Sequence, residues 1–117
     1  MSRHEDAVRI RHMLDYSQEA VALSVGRARP DLDLDRLYNL AMTRLVELIG
    51  ESATHLSEST RHAHPQIPWP QIIALRNRLI HGYDQINFDI LWDIIEIDLP
   101  PLIAQLERIQ CDDNAPQ

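Results

Sequence analysis

Residues 34–60 read LDRLYNLAMTRLVELIGESATHLSEST, and this stretch decides the fold class. Its apolar and small residues keep helical spacing throughout, which is the pattern of one face of an α-helix. They are Leu34, Leu37, Tyr38, Ala41, Leu45, Leu48, Ile49, Ser52 and Leu56. Gly50 is an interior glycine, which costs about 1 kcal/mol relative to alanine. A tight crossing with another helix would explain Gly50, so we predict one long helix from about Leu34 to Thr60 that packs closely at this residue.

The N-terminal segment has the same period and predicts a first helix from about Arg3 to Arg27. Its stripe consists of Ala7, Ile10, Leu14, Ser17, Val21 and Ser24. Gly26 and Pro30 bracket the end of this helix. The segment 31–35 alternates like a strand, but its aspartates suit a helix start, where they cap free amides and match the positive end of the dipole. We therefore predict a loop there that leads into the second helix.

Prolines mark the start of the third helix. The segment 65–70 holds three prolines, and it is predicted to be a loop because proline cannot sit inside a helix. Pro70 suits the first turn of a helix, where its missing N–H is no loss. This third helix is predicted to run to about Ile80 and to end near Gly82.

The fourth helix is predicted from the N-cap Asn87 to about Asp98. Pro100-Pro101 is predicted to break or kink the chain, and a short last helix should continue to about Ile109. Residues 112–117 are expected to form a frayed tail. The result is a bundle of four helices and a short fifth.

The fourth helix is apolar on two sides. One stripe consists of Phe88, Leu91, Trp92, Ile95 and Leu99, and a second of Ile90, Ile94 and Ile97. Such a helix is either central in its bundle or shared with another chain. A homodimer is favoured because most soluble oligomers are symmetric dimers, and a central helix of a monomer stays open.

The composition limits the class of protein. The 117 residues, 1–117, are predicted to form one all-α domain. A net charge of −7 excludes a broad basic surface, so any contact with RNA must be local or assisted by a partner. The chain has no apolar run long enough to cross a membrane and no signal-peptide core. The single cysteine, Cys111, cannot form an internal disulfide, and the cytoplasm is the expected compartment.

The third helix carries an unusual arginine. On a helical wheel a broad apolar arc is formed by Ile72, Ile73, Leu75, Leu79 and Ile80. Arg76 falls in the middle of this arc, and Tyr83 lies nearly in line with it two turns on. Because a buried guanidinium is costly without a partner, Arg76 needs a carboxylate, a pocket or a phosphate. A structural ion pair with Glu47 or Glu51 is one interpretation.

The other interpretation is catalytic. Arg76 could hold a phosphate through two parallel hydrogen bonds, and His81 could move a proton at neutral pH. Asn77 lies four residues before His81, so it could orient the imidazole or hold the phosphate. These groups would suffice for cleavage of RNA without a metal, in which the 2′-hydroxyl attacks the adjacent phosphorus. A second Arg–His pair would come from a symmetry mate.

Each of these residues also has a plainer interpretation. His81 could simply favour the negative end of a helix dipole. Tyr83 could be an amphipathic aromatic at the edge of the core. Arg78 lies on another side of the helix from Arg76, where it either widens a positive patch or is a solvated surface residue.

The segment Arg76 to Tyr83 fits the motif R-x-x-x-x-H-x-Y, with Asn77 directly after the arginine. The flanking pieces occur in order: Ile49-Gly50-Glu51-Ser52-Ala53, Ile67-Pro68-Trp69, His81-Gly82-Tyr83 and Asp98-Leu99-Pro100-Pro101-Leu102. With these pieces the chain resembles the HepT toxins of the HEPN type from about Ile10 to Ile109. The resemblance implies an up-and-down helical bundle that dimerises, with the paired motifs facing a cleft between protomers.

The resemblance also implies an activity and a partner. The activity is that of a metal-independent endoribonuclease, the toxin of a toxin–antitoxin pair, with Arg76 and His81 as catalytic residues, Asn77 in support and no cofactor. The partner is a minimal nucleotidyltransferase antitoxin (MNT) that attaches AMP to the motif tyrosine, here Tyr83. An alternative is a non-catalytic acceptor subunit that only binds or presents a substrate to that nucleotidyltransferase. A weaker possibility is a plain structural dimer.

Three histidines form a candidate metal site. His55, His62 and His64 cluster near the end of the second helix and the proline loop. No further histidine or cysteine stands at the spacing that would complete four zinc ligands. No metal is therefore expected.

Overall fold

The computed structural model describes residues 3–80, 82–83 and 85–114, except for the side chains of residues 3 and 111–114. Apart from one isolated β-bridge, the regular structure in these ranges is helical, which confirms the all-α prediction. The long helices are α1 (Arg3–Leu23), α3 (Arg36–Thr54) and α8 (Leu99–Asn114). The short ones are α2 (Asp31–Leu34), α4 (Glu58–Ala63), α5 (Trp69–Ile73), α6 (Leu75–Leu79) and α7 (Phe88–Asp93), and a π-helical turn, Ile94–Asp98, joins α7 to α8.

Helix α1 lies between α3 and α8 and contributes to the core on both sides. Most of its predicted stripe is buried or half-buried, and the buried Ser17 and Ser24 donate to the carbonyls of Met13 and Ala20 at 2.7 and 2.8 Å. Ala7 is an exception, since it is exposed and Asp6 is buried in its place. The helix ends at Leu23, four residues before Arg27, because the chain turns there and Gly26 adopts a φ of 78°.

The predicted second helix is two helices. Asp35 caps α3, its carboxylate accepting from the Tyr38 amide at 3.1 Å, which confirms an aspartate at this helix start. The predicted loop before it is wrong, since Asp31–Leu34 form the short helix α2. Helix α3 ends at Thr54, however, and does not reach Thr60. Ser57 begins α4 by accepting from the Thr60 amide at 3.3 Å. A serine that caps a new helix interrupts the old one, because a capping residue takes an extended backbone.

The predicted break at Pro100-Pro101 is wrong. The helix widens into the π-helical turn, where the Leu99 amide donates to the Ile94 carbonyl, and continues as α8. The prolines lie in the first turn of α8, where a missing N–H removes little. The last helix extends to Asn114 and not to Ile109, so 112–114 are helical, while 115–117 lie outside the described residues.

The two apolar sides of the fourth helix are largely used within one chain. Leu91, Ile94, Ile95 and Leu99 are all buried. Of the second stripe, Ile94 is buried and Ile90 half-buried, and only Ile97 is exposed. The central-helix interpretation therefore accounts for most of this pattern. In the described ranges, no helix combines the length and the apolar character needed to cross a bilayer.

Candidate functional site

The site begins with the contact between α3 and the α5–α6 segment. A Cβ added to Gly50 would lie 3.1 Å from the Ile72 carbonyl oxygen and 3.5 Å from the Leu75 Cβ. Glycine is therefore what allows the two backbones to approach so closely, as the sequence predicted. The approach brings the exposed face of α3 beside the residues that follow Ile73.

The third helix is interrupted at Ala74, whose ψ of 4° separates α5 from α6. Its buried stripe is narrower than predicted and consists of Ile72, Leu75 and Leu79. Ile73 is half-buried and Ile80 is exposed, so the apolar arc does not surround Arg76. The prediction of an arginine embedded in the core is therefore wrong, since the Arg76 side chain is 70% exposed at the rim of that stripe.

Arg76 pairs with one of the two carboxylates suggested by the sequence. Its Nε lies 3.5 Å from Oε2 of Glu47, whose side chain is 26% exposed. A pair this exposed contributes about 0–1 kcal/mol of stability. The contact therefore contributes little to the stability of the fold.

Arg76 faces a cavity of about 480 Å³ between α3 and α5–α6. Its lining includes Arg44, Glu47, Glu51 and His55 from α3 and its C-terminal end, and Ile73, Arg76 and Asn77 from the other wall. Volumes of 300–1,000 Å³ are usual for small-molecule sites. The cavity thus has room for a nucleotide-sized group, with cations and carboxylates on its walls.

Three of these lining residues were not predicted as parts of a catalytic site with Arg76. Arg44 was not singled out, Glu51 was named only as a possible ion-pair partner, and His55 was assigned to a histidine cluster. A signal for them exists, because Arg44, Glu47, Glu51 and His55 follow one another at steps of three and four and share one helical face. That signal becomes useful only once the neighbour of this face is known.

The motif does not continue as a helix to Tyr83. Helix α6 ends at Leu79, and Ile80 is extended, with φ −77° and ψ 128°. Ile80 forms an antiparallel bridge with Ile86, and the Asn87 amide donates to the Leu79 carbonyl at 2.7 Å. The described residues between these ties, 82, 83 and 85, are not helical and belong to a loop, so the prediction of Tyr83 two helical turns from Arg76 is wrong. Tyr83 is 100% exposed on that loop, which also excludes the core-edge interpretation.

His81 lies outside the described residues, so its predicted role stays a prediction. Asn77 is exposed and lines the cavity with Arg76. The predicted stacking of Asn77 on His81 assumed a helix through residue 81. Because α6 ends at Leu79, helical spacing no longer supports that contact.

Arg78 forms an ion pair on the opposite side of α6. Its Nη1 donates to Oδ2 of Asp98 in the π-helical turn at 3.0 Å, and both side chains are about one-third exposed. Arg78 is therefore neither part of the Arg76 patch nor a freely solvated residue. The ion pair connects α6 to the π-helical turn Ile94–Asp98.

The histidine cluster forms no metal site in the part of the chain that the structure describes. His62 and His64 belong to α4 and its C-cap. His55 instead lines the cavity beside Arg76.

Comparisons with known proteins show what this chain is similar to. A family model described as Ribonuclease HepT-like matches residues 13–109. A protein of Caldanaerobacter subterraneus subsp. tengcongensis named "Putative RNase" is 30% identical over 100 residues, 86% of this chain and 89% of the relative. A protein of Thermococcus cleftensis named "Probable ribonuclease HepT" is 30% identical over 80 residues, 68% of this chain and 73% of the relative. No solved structure matches the chain at a significant level.

Proposed function

Because this chain belongs to the Ribonuclease HepT-like family, we propose that it is a metal-independent endoribonuclease whose substrate enters the cavity beside Arg76. One observation carries the proposal. The Arg76 side chain is 70% exposed, lines a cavity of nucleotide size and approaches Glu47 through Nε, at 3.5 Å. Its two terminal nitrogens therefore remain available for the two oxygens of a phosphodiester, the geometry in which arginine binds phosphate most strongly.

The reaction that fits these groups is transesterification within the RNA strand. The 2′-oxygen forms a bond to the adjacent phosphorus, and the bond from phosphorus to the 5′-oxygen of the next nucleotide breaks. A base accepts the 2′-hydroxyl proton, and an acid returns a proton to the leaving oxygen. Histidine suits both tasks because its ordinary pKa is closest to neutrality, and we assign them to His81 and its symmetry mate. Arg76 stabilises the charge that develops on phosphorus oxygens, and Asn77 supports it.

We further propose that the protein is the toxin of a pair and that an MNT-type nucleotidyltransferase silences it at Tyr83. The phenol oxygen would bond to the α-phosphorus of ATP, pyrophosphate would leave, and the phenolic proton would pass to a base of the partner. The full exposure of Tyr83 supports this, because the active site of another protein must reach its hydroxyl. An AMP group on the same short segment as Arg76 would place a bulky anion near the phosphate site.

A homodimer remains part of the proposal, but on a different face from the one that the sequence suggested. Leu37 and Leu40 of α3 are 80% and 48% exposed. They share the helical face that continues through Arg44 and Glu47 into the cavity. A second copy laid against this face would bury the leucines and bring its own Arg76 and His81 towards the first pair.

The decisive test is RNA cleavage by the purified protein in excess EDTA, together with growth on expressing the chain alone. We expect cleavage and growth arrest from the wild type and neither from Arg76→Ala, since losing a transition-state cation costs about 10²- to 10³-fold in rate. Arg11→Ala is the control, because Arg11 is 64% exposed in a comparable ion pair with Asp15 on α1. An active Arg76→Ala protein would refute the assignment.

The second candidate is an acceptor subunit without nuclease activity. The net charge of −7 and the two carboxylates in the cavity favour it, since both oppose RNA binding. On this interpretation the wild type neither cleaves RNA nor arrests growth, yet gains the mass of AMP at Tyr83 when co-expressed with the nucleotidyltransferase. Cleavage by the unmodified wild type would exclude it.

A further inference from the structure

Glu47 is a carboxylate in a cavity that is proposed to bind a phosphate. A negative charge there opposes anion binding, so its presence needs a compensating effect. Glu51 stands one turn further along the same face, and both line the cavity with Arg76. Only Glu47 forms an ion pair with Arg76 among the described residues.

The contact engages a particular edge of the guanidinium. Oε2 of Glu47 faces Nε of Arg76 at 3.5 Å. A guanidinium offers five N–H groups in a rigid planar fork, and a partner at Nε leaves the two terminal nitrogens pointing away. These terminal nitrogens can then bind two phosphate oxygens at once.

The two partners differ in how firmly their backbones are held. Glu47 lies in the middle of the 19-residue helix α3, three residues before Gly50. At Gly50 the helix packs closely against the backbone carbonyl of Ile72. Arg76 stands on α6, a helix of five residues between the interruption at Ala74 and the extended Ile80. An arginine side chain that is 70% exposed has many rotamers. An anchored carboxylate reduces that number.

We infer that Glu47 is a positioning residue, which holds the Arg76 side chain by its Nε edge so that the terminal nitrogens face the cavity. The inference rests on the proposed function, because it assigns a task within the same phosphate site. Glu47 does not contact the reacting atoms on this interpretation, and acts only through Arg76.

The kinetic test uses a mixed-sequence, fluorescence-quenched single-stranded RNA and compares Glu47→Ala with Glu47→Gln. The alanine variant should lose about 10- to 100-fold in kcat/KM, the usual cost of a misplaced catalytic group. Its melting temperature should change by less than about 4 °C, because the ion pair is exposed. Glutamine should recover much of the activity, since it keeps the length of the side chain and places a partially negative amide oxygen beside Nε.

Two controls separate orientation from charge. Asp15→Ala removes a carboxylate from an exposed ion pair with Arg11 on α1, at 3.3 Å, and should retain wild-type kcat/KM. Glu51→Gln removes a negative charge from the cavity but leaves the ion pair between Glu47 and Arg76 in place. It should therefore tighten RNA binding. If Glu47→Ala retains full kcat/KM, or if Glu47→Gln is as impaired as Glu47→Ala, the inference is wrong.

A second readout does not depend on cleavage. The ¹⁵N–¹H resonance of Arg76 Nε, assigned by its loss in Arg76→Lys, should shift in Glu47→Ala and shift much less in Glu51→Gln. The Glu47→Ala substitution should weaken binding of an uncleavable 2′-deoxy strand when residue 76 is arginine. In a chain that already carries Arg76→Lys, the same substitution should leave this binding unchanged. A wild type that cleaves no RNA would refute the proposed function, while these two measurements would still decide the role of Glu47. An unshifted Nε resonance would refute that role.

Discussion

Asp6 joins the first turn of α1 to the start of α4. It is 5% exposed, and its carboxylate accepts from the Ser57 amide at 3.2 Å and from the Ser57 and Thr60 hydroxyls at 2.5 and 2.6 Å. Asp6→Asn places an NH2 group among donors and should lower the free energy of unfolding by about 2 kcal/mol. Urea denaturation measures this. Asp15→Asn, an equal charge change at an exposed site on α1, should have little effect.

The same cluster predicts a pH dependence. Burial alone would raise the pKa of Asp6, but the hydrogen bonds from Ser57 and Thr60 outweigh it and hold the pKa below its ordinary value. The unfolded chain therefore takes up the proton first as the pH falls. The advantage of wild type over Asp6→Asn should be complete above about pH 4 and shrink as the pH drops through the folded pKa. An advantage that grows in acid would contradict this.

Single residues also show where sequence reasoning reaches its limit. The pairing of Arg76 with a carboxylate on the second helix could be foreseen, because residue type and helical period were enough. The exposure of Arg76 could not be foreseen, because a helical wheel counts every isoleucine as buried. In the structure Ile73 is half-buried and Ile80 is exposed. Asp6 was missed altogether, since its partners Ser57 and Thr60 are about 50 residues away in the chain.

The presence of helices was predictable from the period of their apolar residues. Where each helix ends depends on which nearby residues cap or interrupt it. Asp35 and Asn87 were recognisable caps, and both accept from the amide three residues on, at 3.1 Å. The end of α3 was missed because Ser57 reads equally well as a helical residue and as a new cap. Pro100-Pro101 misled because these prolines follow a π-helical turn and lie in the first turn of α8, where a missing N–H removes little.

The crossing at Gly50 supplies the prediction at the scale of helices. Gly50→Ala would gain about 1 kcal/mol in helix propensity. The new methyl would meet the Ile72 carbonyl oxygen at 3.1 Å, however, and this oxygen already accepts from the Ala74 amide at the interruption between α5 and α6. Overpacking of this kind costs about 1–3 kcal/mol, so we expect a net loss of about 1 kcal/mol.

Thermal denaturation would measure the Gly50→Ala loss, and the Nε resonance of Arg76 should shift in the same variant because α6 must move away from α3. Ala41→Gly, a glycine introduced at a half-buried position of the same helix, gives the propensity cost without a clash. If Gly50→Ala is more stable than wild type and leaves the resonance in place, the close approach does not position Arg76.

The whole molecule is acidic, with a net charge of −7, and its exposed apolar side chains are unevenly placed. An acidic surface slows the approach of RNA and offers few phosphate contacts, so on the proposed function RNA binds only at the cavity and its surroundings. A dimer would help, because two copies of the cavity would then face one strand. The charge was readable from the sequence, but the face proposed to join two copies depended on which leucines the fold leaves exposed.

That face gives the last prediction. Leu37 is 80% exposed on the same side of α3 as the cavity, and Leu37→Asp should raise the dimer dissociation constant at least about tenfold, because a buried unpaired charge costs more than 1.4 kcal/mol. Analytical ultracentrifugation over a range of concentrations measures this. Val25 is also 80% exposed but lies beyond the end of α1, so Val25→Asp should leave the constant unchanged. A monomeric wild type, or a dimer disrupted by Val25→Asp alone, would refute pairing through α3, and RNA cleavage would then require a second proton-transfer group within one chain.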